Sequence, residues 1–268
     1  VDIDGNLTLA KAEKSLIGRR KTRKKPTKIS ITNSFGNPSR GPEVWQEDMK
    51  KALSYRKVGQ LLIASVVGTI QKDFTEEQYF EDFAYTAKLA KETGVKIIEI
   101  NLSCPNVTNE GVLCYNQEAC EKIARKTKEA IGNTPLLLKV GYYSYKQEEL
   151  LEAIIKKISP FASGIVAINT IQAKILDRNG KQAILGKNRL LSGVCGYAIK
   201  PAGLEMVRKL NKIRQRRNYK FEIIGIGGVM TLDDYFEYRK AGANLVQSAT
   251  GAMWNPYLAW EIWKKEHI

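Results

Sequence analysis

The chain has 268 residues, 43% of them hydrophobic, enough for one large domain with a filled core. Lysine and arginine outnumber aspartate and glutamate by 43 to 28, a formal charge of +15, and the one histidine is His267. That single histidine excludes a Ser-His-Asp or Cys-His mechanism and leaves zinc only poor ligands, so proton transfer falls to cysteine, lysine, tyrosine or carboxylates.

The densest charge is Arg19-Arg20-Lys21-Thr22-Arg23-Lys24-Lys25-Pro26-Thr27-Lys28. Such a block can bind nucleic acid or an anionic surface, and more often it is a solvated loop. No aromatic residue interleaves it, so it offers no stacking platform for single strands, and nucleic acid is not the expected partner. Residues 1–30 are set apart as a basic, flexible N-terminal segment, and residues 31–268 as one domain. The longest weakly polar run, 59–70, is too short to span a bilayer. No secretory pattern opens the chain, so a cytoplasmic protein without a membrane partner is expected.

From residue 60 onward, short apolar runs alternate with amphipathic helical patterns, which predicts repeated βα units and a parallel sheet. Strands are expected at 61–67, 96–102, 136–140, 164–169, 221–226 and 245–248. Their isoleucine, valine and leucine content suits strands covered on both faces. Thr75 with Gln78 forms a capping box before a helix with Phe80, Phe83, Ala84 and Ala87 on one face, closed by Gly94. Cys120 falls in the helical stretch 117–131 as a packed thiol. Leu150, Leu151, Ile154, Ile155 and Ile158 form a second stripe, ended by Pro160. Asn179-Gly180, between 175–178 and 181–184, predicts a hairpin inserted after the strand ending at Asn169. Thr231 with Asp234 opens a further helix that stops near Gly242. Six βα units are two short of a closed barrel, residues 1–30 are too polar to supply two buried strands, and the chain starts with Val1. The expected fold is an α/β (β/α)8 TIM barrel whose first strand or two are missing from this sequence.

The four cysteines, Cys104, Cys114, Cys120 and Cys195, include no CxxC pair, as in a reduced intracellular protein. A cluster of the first three is an alternative to plain packing. In barrels of this kind the chemistry sits at the C-terminal ends of the strands. Those ends carry Asn101 with Cys104 and Asn106, then Lys139, then Asn169 with Thr170. Gly225-Ile226-Gly227-Gly228 and Gln247-Ser248-Ala249-Thr250-Gly251 follow. A thiol can move a proton, and carboxamides can grip a polar, planar ligand. The two turns of glycine and small residues suit a phosphate, because they bare backbone N–H groups. The set predicts a phosphate-bearing cofactor beside a small polar substrate.

Several segments, in order, carry a family resemblance. They are Asn33-Ser34-Phe35-Gly36-Asn37-Pro38, Asn101-Leu102-Ser103-Cys104-Pro105-Asn106, Lys139-Val140, Ile168-Asn169-Thr170 and the Asn-Gly hairpin. Ser192-Gly193-Val194-Cys195-Gly196 leading into Ile199-Lys200-Pro201, Ile226-Gly227-Gly228, and Ala241-Gly242-Ala243 before Val246-Gln247 complete them. From about residue 31 to the C-terminus the chain resembles the dihydroorotate dehydrogenases, FMN-dependent barrel enzymes of pyrimidine biosynthesis. The resemblance implies that Asn101, Lys139, Thr170, Gly196, Gly227, Gly228, Ala249 and Thr250 line an FMN site. It places Asn33, Phe35, Gly36, Asn101, Asn106, Asn169 and Thr170 around dihydroorotate or orotate.

Cys104 falls where class 1 members carry the base that takes the C5 proton while C6 passes hydride to flavin N5; class 2 members have serine there. Lys139 would lie against the pyrimidine edge of the flavin and stabilise charge on its reduced form. Asn37 replaces a usual apolar residue, and Cys195 stands where Ser or Gly is common. Gly111-Val112-Leu113-Cys114-Tyr115-Asn116 resembles the active-site loop of dihydropyrimidine dehydrogenases, so Cys114 is the alternative base; Asn106 favours Cys104.

The resemblance further implies a homodimer, and for NAD as oxidant a separate electron-transfer subunit; fumarate and quinone are the other acceptors. A tRNA dihydrouridine synthase is a competing flavoenzyme reading, favoured by the charge and opposed by Asn169-Thr170 and by residues 101–106. An inactive truncated barrel that binds through its basic segment is the non-enzyme alternative.

Overall fold

The computed structural model describes residues 6–8, 28–33, 39–71, 73–103, 113–177, 179–187 and 189–267. In chain order its elements are β1 (Asn6–Thr8), β2 (Ser30–Asn33), α1 (Pro42–Ser54), β3 (Ile63–Val66), α2 (Glu76–Glu92), β4 (Ile97–Asn101) and α3 (Gln117–Ile131). There follow β5 (Leu136–Val140), α4 (Glu148–Ile158), β6 (Gly164–Ala167), β7 (Ile171–Leu176), β8 (Leu191–Gly196) and α5 (Lys200–Arg217). β9 (Glu222–Ile226), α6 (Leu232–Ala241), β10 (Leu245–Gln247), α7 (Thr250–Trp254) and α8 (Leu258–His267) complete the chain.

Six parallel strands, in the order β10-β9-β6-β5-β4-β3, form a curled sheet, an α/β architecture of the TIM-barrel type. All six expected strands are present. Their side chains divide by the period of two that the pleat imposes. Ile98, Ile100, Leu136, Leu138, Val140, Ile165, Ala167 and Ile223 face outward into the main core beneath the helices. Leu137, Val166 and Ile224 face inward, with Ile63, Ile97 and Ile226 packed against them. Two apolar cores, one on each face of the sheet, explain why these strands read as nearly continuous apolar runs. The described residues hold six strands of this sheet, and β3 and β10 are its edges.

The helices start and stop where local chemistry dictates. Thr75 and Thr231 each complete a reciprocal capping box, with Gln78 and Asp234. Gly242 ends α6 at φ 111°, a conformation open to glycine. The stripe on α4 buries Leu151, Ile154, Ile155 and Ile158 as expected. The expectations did not include α1, which has no fully buried residue. It packs through Trp45, Met49 and Leu53, one residue per turn.

A second, four-stranded sheet, β1-β7-β8-β2, rises from the end of β6. Here the expected hairpin is present as a short one. Asn179-Gly180 does turn the chain, with Gly180 N–H donating to Asp177 O at 3.1 Å and Asp177 N–H to Lys181 O at 2.7 Å. The returning arm pairs through the bridge between Leu176 and Gln182, with Ala183 N–H donating to Ile175 O at 2.9 Å. Gln182 Nε2 donates to the carbonyls of Ile184 and Gly186, both at 2.6 Å, and curls the arm back on itself. The lasting antiparallel partner of β7 is β8. Residues 6–8 and 30 lie inside the expected N-terminal segment, yet they form β1 and the start of β2, paired with β7 and β8.

Candidate active site

The C-terminal ends of β4, β5 and β6 bring three of the expected residues together. Asn101 and Lys139 are register partners across β4 and β5, and Leu102 N–H donates to Lys139 O at 3.0 Å. Asn169 follows β6, held by a bond from its N–H to Val140 O at 3.0 Å. Asn169 Nδ2 then donates to Asn101 Oδ1 at 2.9 Å and also to Ser103 O. Asn169 Oδ1 accepts from Thr170 N–H at 2.7 Å, and Asn101 Oδ1 accepts from Ser103 N–H at 3.1 Å. Two carboxamides and the strand ends thus fix one another. Asn101 Nδ2 has no acceptor among the described residues. Both asparagines, Lys139 and Thr170 are part-buried.

One charged residue in this layer escaped the sequence reading. Glu99 lies two residues before Asn101, on the same inward face of β4. Its side chain is 3% exposed, and Oε1 accepts from Ser65 Oγ at 2.7 Å and from Lys139 Nζ at 3.4 Å. The signal was a lone carboxylate inside Ile97-Ile98-Glu99-Ile100, since acidic side chains are rarely buried unless paired.

The second half of the site is built from close backbone approaches. Gly196 ends β8 at φ 85°, and its position is occupied on one side by the backbone of Ile29 and Ser30. Gly228, at φ 69°, leaves no room for a Cβ, which would stand 2.6 Å from Lys200 Cβ and 2.8 Å from Gly196 O. The turns after β8 and β9 therefore touch, and only glycine permits both the positive φ and the contact. β10 joins them: Ser248 Oγ donates to Val229 O at 2.7 Å, and Thr250 Oγ1 to Cys195 Sγ at 3.6 Å. Behind this floor, Tyr238 Oη donates to Gly227 O at 2.6 Å. Lys200 Nζ is ion-paired with Asp234 and, at 2.9 Å, with Glu237. Gly196, Gly227, Gly228, Ala249 and Thr250 thus meet in one place.

Cys114 lies behind the strand ends. Its N–H donates to Leu102 O at 3.0 Å, and the residue has no exposed surface. Burial pushes its thiol pKa up, opposed by hydrogen bonds from Ser103, the Gly141 amide and Tyr143. Cys120, on α3, is equally buried, and burial raises its thiol as well. Among the described residues, no group of three or more His, Cys, Asp or Glu is placed to hold a metal ion, and no helix is long and apolar enough to cross a membrane. Phe35, Gly36, Cys104 and Asn106 lie outside the described residues, and Asn33 is described by its backbone in β2 alone.

A family model described as dihydroorotate dehydrogenase matches residues 9–266. A dihydroorotate dehydrogenase of Dictyostelium discoideum is 35% identical over 235 residues, covering 86% of this chain and 62% of that protein. The catalytic subunit of a dihydroorotate dehydrogenase B (NAD(+)) from Methanocaldococcus jannaschii is 29% identical, covering 90% of this chain and 73% of the relative. A dihydroorotate dehydrogenase A (fumarate) of Lactobacillus delbrueckii subsp. bulgaricus is 28% identical, covering 81% and 64%. The chain thus spans between about three fifths and three quarters of the length of these relatives.

Proposed function

Because this chain belongs to the dihydroorotate dehydrogenase family, we propose that it oxidises dihydroorotate to orotate with FMN as hydride acceptor. The observation that carries this reading is the locked layer at the strand ends, where Lys139 and Asn101 share a register and Asn169 is bonded to Asn101. The donor set fits a flavin mononucleotide. A cationic lysine and free carboxamide N–H groups suit the polar edge of the ring. Tightly apposed glycine turns bare backbone N–H groups where a phosphate would sit. Asn101, Lys139, Thr170, Gly196, Gly227, Gly228, Ala249 and Thr250 would hold FMN, which when bound supplies the acceptor for a hydride.

The chain's own residues do the rest. Asn33, Phe35, Gly36, Asn101, Asn106, Asn169 and Thr170 orient the substrate, whose ring carbonyls and N–H groups match carboxamide donors and acceptors. Cys104 takes the proton from C5 while the C6 hydride leaves the substrate, so dihydroorotate loses one proton and one hydride to become orotate. An ordinary thiol titrates near 8.5, and a modest lowering makes it a competent base. Cys114 is disfavoured for that task, because burial holds it protonated. Lys139 places positive charge where negative charge grows during transfer.

Residues 31–268 form the catalytic domain in this reading, with residues 1–30 as a basic N-terminal segment, in a cytoplasmic homodimer. The relatives include NAD-type and fumarate-type enzymes, so the acceptor is settled by assay. Purified protein reconstituted with FMN is given dihydroorotate and then fumarate, a quinone, or NAD with an electron-transfer subunit. Orotate formation with one acceptor is expected; no orotate with any of them sinks the substrate assignment.

A further inference from the structure

Glu99 has no part in the functional reading above, yet its placement is specific. It lies on the inward face of β4, one pleat below Asn101, in a layer otherwise lined by Ile97, Leu137, Val166 and Ile224. A buried carboxylate among such neighbours persists when it is paired and hydrogen-bonded. Glu99 is both: Ser65 Oγ donates to it from β3, and Lys139 Nζ faces it from β5. The two contacts differ in kind. The serine bond, 2.7 Å, fixes the carboxylate across the β3–β4 seam. The lysine contact, 3.4 Å, is longer than a tight charge-assisted bond. Lys139 is also the more open partner, with 17% of its side chain exposed against 3% for Glu99. The carboxylate is therefore the fixed member and the ammonium the member free to turn toward a ligand.

We infer that Glu99 is the positioning residue of Lys139, an anchored counter-charge beneath the cleft that sets both where the ammonium points and how positive the pocket floor is. This rests on the flavin reading for its consequence, though not for the pair itself. As an ion pair, Glu99 and Lys139 add no net charge to the floor. Glu99→Gln keeps the shape and a side-chain acceptor for Ser65 but leaves the ammonium uncompensated. An anionic reduced flavin then gains relative to the oxidised form.

The test compares the parent chain with Glu99→Gln, Lys139→Met and the double variant; Lys139→Gln replaces Lys139→Met if the latter does not fold. Without flavin, urea unfolding of the four proteins gives the coupling between the two residues. More than fivefold coupling in the folding equilibrium is expected, and additive effects overturn the inference. With FMN bound, the midpoint potential is measured by equilibration with redox dyes. Glu99→Gln is expected to shift it upward by at least tenfold in the reduced-to-oxidised ratio, about 30 mV for a two-electron couple. The shift should shrink in the Lys139→Met background. A coupled pair with an unchanged potential overturns the counter-charge role and leaves Glu99 a structural bond to Ser65. If the parent takes up no FMN, the flavin reading falls, and the unfolding coupling alone upholds or overturns the anchoring of Lys139.

Discussion

Cys114 combines full burial with hydrogen-bond partners, and burial outweighs them, so its thiol stays protonated where a base must not be. Its replacement therefore separates two roles. Cys104→Ala is expected to slow reduction of bound flavin by dihydroorotate by about 10²- to 10⁴-fold, the usual worth of a positioned general base. Cys114→Ala should leave that rate within a few-fold of the parent. The same Cys114→Ala variant reports on stability. Because its pKa is raised on folding, the unfolded chain loses the thiol proton first as pH rises. The stabilisation is complete below the ordinary thiol range and is lost as pH climbs toward the raised folded value. The alkaline limb of a urea-unfolding series should thus flatten in Cys114→Ala, by up to about 1.4 kcal/mol per pH unit. The small cavity left behind lowers stability at every pH and does not alter that slope. Slow flavin reduction in Cys114→Ala, or an unchanged slope, contradicts the assignment.

At the scale of elements, the site depends on turns held from behind. Tyr238 on α6 is fully buried, and its hydroxyl is the partner of Gly227 O. Gly203 on α5 leaves the space that this hydroxyl occupies. Tyr238→Phe strips the carbonyl of its donor without changing the packing. It is expected to cost about 1–3 kcal/mol of stability and to weaken FMN binding through the loosened turn, as measured by urea unfolding and flavin titration. Unchanged affinity would mean that the turn needs no such brace.

The barrel strands were legible in the sequence as short runs of isoleucine, valine and leucine, α2 and α6 because each opens on a capping box, and α2 and α4 because each carries an apolar stripe. α1 was not, since Trp45, Met49 and Leu53 are its only apolar anchors in a Glu- and Lys-rich run. β8 was legible as a motif rather than as a strand, because its partner is chosen by tertiary pairing with β7 and β2, not by the Asn179-Gly180 turn. Glu99 was not legible because it lies one pleat before the strand end and its partners, Ser65 and Lys139, reach it only through register. The residues of the candidate site were legible as side chains, but the bonds between them, such as Asn169 to Asn101, depend on register that no local pattern carries.

For the whole molecule, the open edges of the sheet matter most. β3 and β10 are unpaired on their outer sides among the described residues, Ser65 on the inner face of β3 is exposed, and Leu245 on β10 is 54% exposed. The relatives are longer than this chain. The halves of the site described above, the amide and lysine layer and the glycine turns, are carried by β4 through β10, with the backbone of Ile29 and Ser30 against Gly196. The central claim is that these residues suffice to bind FMN and to deliver dihydroorotate to it. It is tested most directly by an anaerobic titration of the FMN-reconstituted chain with dihydroorotate, followed by visible absorbance. Bleaching of the flavin that saturates near one dihydroorotate per flavin is the predicted result. A flavin that stays yellow with dihydroorotate, yet bleaches at once with dithionite, would contradict it.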